Sequence, residues 1–189
     1  TREGRTFMHY ACQYGRFEMV SLVLSDVSEN GVLSPYYDHI VTVRGGESEG
    51  KDGKDALRRV VNAESNDGTT LLHSAVYGGC QDVVDLLIDN GADRGRINKW
   101  GCGVGHFLGI SPSINSSLSC ASLVSSLVTS LGVSNVFDNN TTSGHNVLHK
   151  TGVKKRLKTA KAIKGVVGEE EWKRMVGEKD EDGKTPEDW

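Results

Sequence analysis

Apolar residues in this chain come as paired short clusters, each pair too small to hide from water by itself. The clearest run is residues 66–93, NDGTTLLHSAVYGGCQDVVDLLIDNGAD. Leu71, Leu72 and Ala75 fall on one helical face, and Thr70 stands where a cap would start the helix. Gly78 and Gly79 break it. Over residues 82–89, Val83, Val84, Leu86 and Leu87 turn inward while Asp82, Asp85 and Asp89 turn outward. Gly91 then ends the second helix in a left-handed conformation. Asn66, Asp67 and Gly68, ahead of the first helix, are turn residues. Helices this short are marginal alone, so the pattern predicts neighbours of the same shape.

Copies are present. A Gly followed five residues later by a His occurs at Gly4 and His9, Gly68 and His73, Gly101 and His106, and Gly144 and His149. The closing DGKTPEDW, residues 182–189, opens another copy. Thr70-Leu71-Leu72-His73-Ser74-Ala75 resembles the T-P-L-H-x-A signature of ankyrin repeats, with Leu71 in the Pro position. Thr6-Phe7-Met8-His9-Tyr10-Ala11 resembles it in the same way, with Phe7 there. His73 and His106 stand 33 residues apart, one period of that family. The resemblance implies an all-α ankyrin-repeat solenoid of stacked helix-turn-helix units over residues 1–189. The units fall at about 1–33, 62–97, 98–133 and 140–168, with a partial one at 180–189.

Two spacings depart from the period. His9 and His73 are 64 residues apart, which places an insertion at about 34–60, after the first repeat. Residues 36–43 have strand-like composition, 44–55 are Gly-rich and charged, and 56–61 form either a helical turn or a return strand. A finger-like insertion is the preferred reading, and a decayed repeat the alternative. His106 and His149 are 43 residues apart, which lengthens the turn at 134–143. Gly103 and Asn146 replace the signature Thr and predict weak helix starts. The second helix of the third unit, residues 117–131, offers Leu118, Ala121, Leu123, Val124, Leu127, Val128 and Leu131 as a buried stripe. That of the fourth, about 154–167, offers Leu157, Ala160, Ile163 and Val167, with Lys154, Lys158 and Lys161 opposite. Residues 169–172 open a further helix.

Composition narrows the setting. Hydrophobic residues make up 37% of the 189, which suits thin layers better than one thick core, and the formal charge of −3 points to no particular partner. No apolar run is long enough to span a bilayer, and no basic-then-apolar leader opens the sequence. Cys12, Cys80, Cys102 and Cys120 show no close pairing, which reads as free thiols in a reducing, intracellular compartment. Their spacing does not fit a zinc site.

Candidate chemistry points to recognition. The marker histidines recur once per unit, and in the ankyrin family this His and its Thr tie the turn to the first helix. His9, His73, His106 and His149 therefore read as structural, and His39 and His145 as exposed loop residues. No serine sits in a nucleophile elbow, and Gly101-Cys102-Gly103-Val104-Gly105 lacks the strand and spacing of a nucleotide-binding loop. The expectation is a non-enzymatic protein–protein interaction scaffold without cofactor or metal, part of a larger chain or assembly. Missing chain or a partner is expected to cover Met19 and Val20 on the open side of the first unit. Candidate partner contacts are Trp100, Arg94, Arg96 and Lys99 at one turn tip, since an exposed Trp beside Arg often anchors an interface. The bland reading packs Trp100 beneath its own turn. Tyr36 and Tyr37 in the insertion are a second candidate anchor. The alternative function is contact with RNA, other nucleic acid or an anionic surface through residues 150–164, which hold seven basic side chains and no acidic one. Lys154, Lys155, Arg156, Lys158 and Lys161 would carry it, though no aromatic platform is interleaved.

Overall fold

The computed structural model describes residues 3–30, 53–138 and 140–189. Tyr36, Tyr37, His39 and most of the insertion expected at about 34–60 lie outside the described residues. Among the described residues the secondary structure is helical, with one isolated bridge between Glu64 and Thr70.

The helices pair into layers. The first layer holds α1 (Phe7–Gln13) and α2 (Phe17–Asn30), and α3 (Gly53–Val61) packs on α2. Residues 56–61 are thus helical, which decides between helical turn and return strand. The second layer holds α4 (Leu71–Gly78) and α5 (Gln81–Asp89). The third holds α6 (Val104–Ile110), a short α7 (Pro112–Ser116), α8 (Cys120–Leu131) and α9 (Val133–Phe137). The fourth holds α10 (Val147–Val153), α11 (Leu157–Val167) and α12 (Glu169–Gly177), and a 3-10 helix, Pro186–Asp188, follows. First helices form one row, α1 against α4, α4 against α6, α6 against α10, and α10 against the 3-10 helix. Second helices form the other, α2 against α5, α5 against α8, and α8 against α11.

The turns explain the spacing. Gly4, Gly68, Gly101, Gly144 and Gly183 all have φ between 71° and 79°, a region that favours glycine. Each tip then donates one backbone bond to the tip before it. Asn66 N–H reaches Glu3 O at 2.9 Å, Lys99 N–H reaches Asp67 O at 2.9 Å, Thr142 N–H reaches Trp100 O at 3.0 Å and Glu181 N–H reaches Ser143 O at 3.2 Å. The same register holds across both irregular spacings, so the extra residues leave the ladder intact.

Packing confirms some stripes and rotates others. Val83, Val84 and Leu87 are fully buried, as is Val20, which was expected on an open side. Met19 and Leu22 are 49% and 70% exposed. α8 starts only at Cys120, so Leu118 lies wholly in solvent while Val124, Leu127, Val128 and Leu131 form the stripe. In α11 the buried side is Thr159, Ala162 and Ile163, and Leu157 is 66% exposed. The start of α11 is capped from the layer before it, where Asn115 Oδ1 accepts from Lys158 N–H at 3.1 Å and Thr159 N–H at 3.3 Å. Asn146 also corrects its expectation: its side chain accepts from Leu148 and His149 N–H at 2.9 and 3.1 Å, a sound cap.

Candidate protein-binding groove

The marker histidines build the frame of the site. Thr6, Thr70, Gly103 and Asn146 N–H each donate to Nδ1 of the His three residues on, at 3.1–3.2 Å. A backbone N–H can only donate, so Nδ1 is the acceptor and Nε2 carries the proton. That proton reaches into the next layer: His9 to Thr69 O at 3.0 Å, His106 to His145 O at 2.9 Å, and His149 to Lys184 O at 3.1 Å. His73 differs, since its Nε2 faces the Arg96 carbonyl without closing a hydrogen bond, and its ring packs 4.6 Å from that of Phe107. Burial pushes the pKa of His9, His73 and His106 down to about 4. These side chains are neutral fasteners between layers. The single-layer role expected from sequence missed this reach.

His145 was expected to be exposed. It is partly buried, stacks on His149 with ring centroids 5.3 Å apart, and donates from Nε2 to Asp180 Oδ2 at 3.1 Å. Asp180 also accepts from the Trp189 indole at 2.9 Å. Its carboxyl stays below the usual range because hydrogen bonds outweigh the upward push of burial.

On this frame lies a concave groove of about 430 Å³. Glu3 and Arg5 supply its first-layer edge, and Asp67 and Thr69 the second. The third layer provides Trp100, Phe107 and Ile110, and the fourth Lys150, Val153 and Lys154. One end is thus mixed in charge, the middle is apolar, and the far end is basic. Burial pushes the Asp67 carboxyl up, but hydrogen bonds from Ser65 and Thr69 hold it below the usual range. Cys102 also lines the groove, its thiol pushed up by burial against the pull of Lys150.

Trp100 is 49% exposed, with the Lys99 ammonium 4.6 Å from its ring centroid. It therefore presents an open face and is not packed away beneath its turn. Arg94 is exposed. Arg96 pairs with Glu64 and Asp93, each at 3.2 Å. The basic run divides. Lys154 lines the groove, whereas Lys155, Arg156 and Lys161 line a separate pocket, and Lys158 is exposed beside the Asn115 cap. Arg156 also donates from Nε to Ile110 O at 3.2 Å. Among the described residues no His, Cys, Asp and Glu cluster could hold a metal ion, and no helix is long and apolar enough to cross a membrane.

Helix pairs joined by such turns define a solenoid of stacked repeats, a fold that presents an extended concave surface. Ankyrin-repeat models match residues 3–31 and 67–99, so the chain carries ankyrin repeats. It is similar to E3 ubiquitin-protein ligase XBAT33 of Arabidopsis thaliana, 34% identical over 86 residues, or 46% of this chain and 16% of that protein. It is also similar to the probable E3 ubiquitin-protein ligase XBOS33 of Oryza sativa subsp. japonica, 32% identical over 102 residues, or 48% of this chain and 19% of that protein. The chain thus spans less than a fifth of either relative. Ankyrin repeats are protein-binding units, which makes proteins of unspecified identity the partners.

Proposed function

We propose that the units at about 1–33, 62–97, 98–133, 140–168 and 180–189 act as one platform that holds a segment of a partner protein, without chemistry of its own. The observation that carries this reading is the groove: an aromatic and aliphatic centre, Trp100, Phe107 and Ile110, set between the first two tips and Lys150 and Lys154 in and just after α10. A half-exposed Trp at the middle of a groove is the residue type that dominates interface energetics. Lys99 beside its ring and Arg94 on the same loop supply polar contacts at the edge.

The resemblance to named ubiquitin ligases supports a part in recognition within a larger protein. Its matched segment covers too little of those proteins to carry ligase chemistry to this chain. Four free thiols fit a reducing compartment. The nucleic-acid alternative is less favoured, because Lys150 and Lys154 line one pocket, Lys155, Arg156, Lys161 and Lys164 line another, and Lys158 lines neither.

Affinity capture with mass spectrometry tests the reading, with wild type and Trp100→Ala compared at equal fold content. A protein partner lost with Trp100→Ala, and retained as salt rises, is the expected result. Truncating a central Trp should cost at least about 2 kcal/mol of binding. Equal capture by both proteins, or binding that collapses with salt and requires RNA, would refute it.

A further inference from the structure

Across the concave groove the side chains change character from layer to layer. Phe107 and Lys150 each directly follow the marker histidine of their layer, so they hold the same place on α6 and α10. An aromatic ring in the third layer thus gives way to a cation in the fourth. Lys154, just past the end of α10, stands four residues after Lys150, on the same side of a helical turn. Both lysines line the groove beside the centre formed by Trp100, Phe107 and Ile110. On the other side of that centre the second layer offers Asp67. The first helices of these three layers each have a stacked neighbour on both sides, from α1 to the 3-10 helix.

Asp67 is held in place and held charged. Its Oδ1 accepts from Ser65 Oγ and from Thr69 N–H, the latter at 3.1 Å. The charge of Lys150 is felt across the third layer. Burial moves the pKa of the His106 imidazole down and that of the Cys102 thiol up, and the Lys150 ammonium lowers both. Two ammonium groups one turn apart repel each other, and an anion placed between them relieves that repulsion. The apolar centre by itself would take any hydrophobic side chain. Opposite charges on its two sides set the direction in which a bound segment lies. A reversed segment would bring its carboxylate to Asp67 and leave the lysines unmatched.

We propose that the groove selects a partner segment with an acidic side chain on one flank of an apolar anchor, the carboxylate meeting Lys150 and Lys154 while the anchor packs against Trp100 and Phe107. The flank that faces the second layer carries no acid. This rests on the protein-binding role proposed above and adds to it the chemistry and the direction of the partner.

Selection of displayed random peptides on the whole 189-residue chain tests it. Peptides of about twelve residues suffice, since one layer is roughly 10 Å, about three residues of extended chain or seven of helix. Wild type should enrich peptides with an apolar residue flanked on one side by Asp or Glu. Lys150→Glu with Lys154→Glu should enrich Lys or Arg on that flank instead, around the same anchor. In fluorescence anisotropy, a labelled peptide from the wild-type pool should bind the charge-reversed protein at least tenfold more weakly. Lys154→Glu alone changes an exposed residue outside α10, and should weaken binding several-fold with the fold untouched. Selected peptides that need Trp100 but carry no acidic flank would overturn the proposal and leave binding at the groove intact. So would the same acidic flank selected by the charge-reversed protein. No enrichment, or binding that survives Trp100→Ala undiminished, would overturn both this proposal and the groove as the binding site.

Discussion

Acidification from pH 7 to pH 5 should loosen the stack before most carboxylates take up a proton. His9, His73 and His106 are buried, and each accepts a backbone N–H at Nδ1. Protonating Nδ1 would set one N–H against another inside the core. Their folded pKa is about 4, against 6.5 in the unfolded chain. In the window between those values the unfolded state binds more protons, so stability falls as pH falls. At 1.36 kcal/mol per pH unit, each histidine costs about 2 kcal/mol between pH 7 and 5. The three together cost on the order of 5 kcal/mol, comparable with the roughly 5–15 kcal/mol net stability of a domain. Urea unfolding followed by far-UV circular dichroism at pH 7, 6 and 5 reads this directly. The midpoint should drop steadily, and His106→Gln should remove about a third of the slope. Asp67, Asp180 and Asp188 have depressed pKa values, so their contribution is present above the ordinary carboxylate range and lost below it, outside this window. A midpoint unchanged between pH 7 and 5 would refute the assignment of these histidines as neutral fasteners.

Other perturbations follow from the packing. A Cβ added at Gly105 would lie 1.8 Å from Val136 O, whereas one at Gly165 meets nothing within 4 Å. Gly105→Ala should therefore destabilise by about 1–3 kcal/mol, and Gly165→Ala, inside α11, should stabilise by about 0.5–1 kcal/mol, both read by chemical denaturation. Asn115→Ala removes the cap that α7 lends to α11 and should cost about 1 kcal/mol, with faster amide exchange at Lys158 and Thr159. Burial pushes the Cys12 thiol up to about 12, so Cys12 should label only on unfolding; rapid alkylation in the native protein at pH 8 would contradict its placement.

Legibility followed the range of each interaction. The Thr70 cap, the Gly79 break, the Val83, Val84 and Leu87 stripe and the Gly91 turn all depend on residues within a few positions, and all stood in the sequence. The start of α12 did too. α11 was misread because two overlapping arcs satisfy helical spacing. Leu157, Ala160 and Ile163 lie on one, Thr159, Ala162 and Ile163 on the other, and the layer beneath decides which is buried. Leu118 was misplaced because Ser111 and Pro112 start a separate short helix and delay α8. His145 looked exposed because Asp180, its partner, is 35 residues away.

The sequence by itself determined the repeating unit, its turns, its marker histidines and Trp100 as a candidate anchor, since each rests on local backbone preference and periodicity. Only the tertiary structure decided that His9, His106 and His149 fasten one layer to the next, and that Lys154 and Lys155, adjacent in the chain, line different pockets. It also brought Glu3 and Lys154 to the same groove. The physical reason is that stacking rotates each unit against its neighbour. A contact between layers depends on that rotation, which no single repeat encodes.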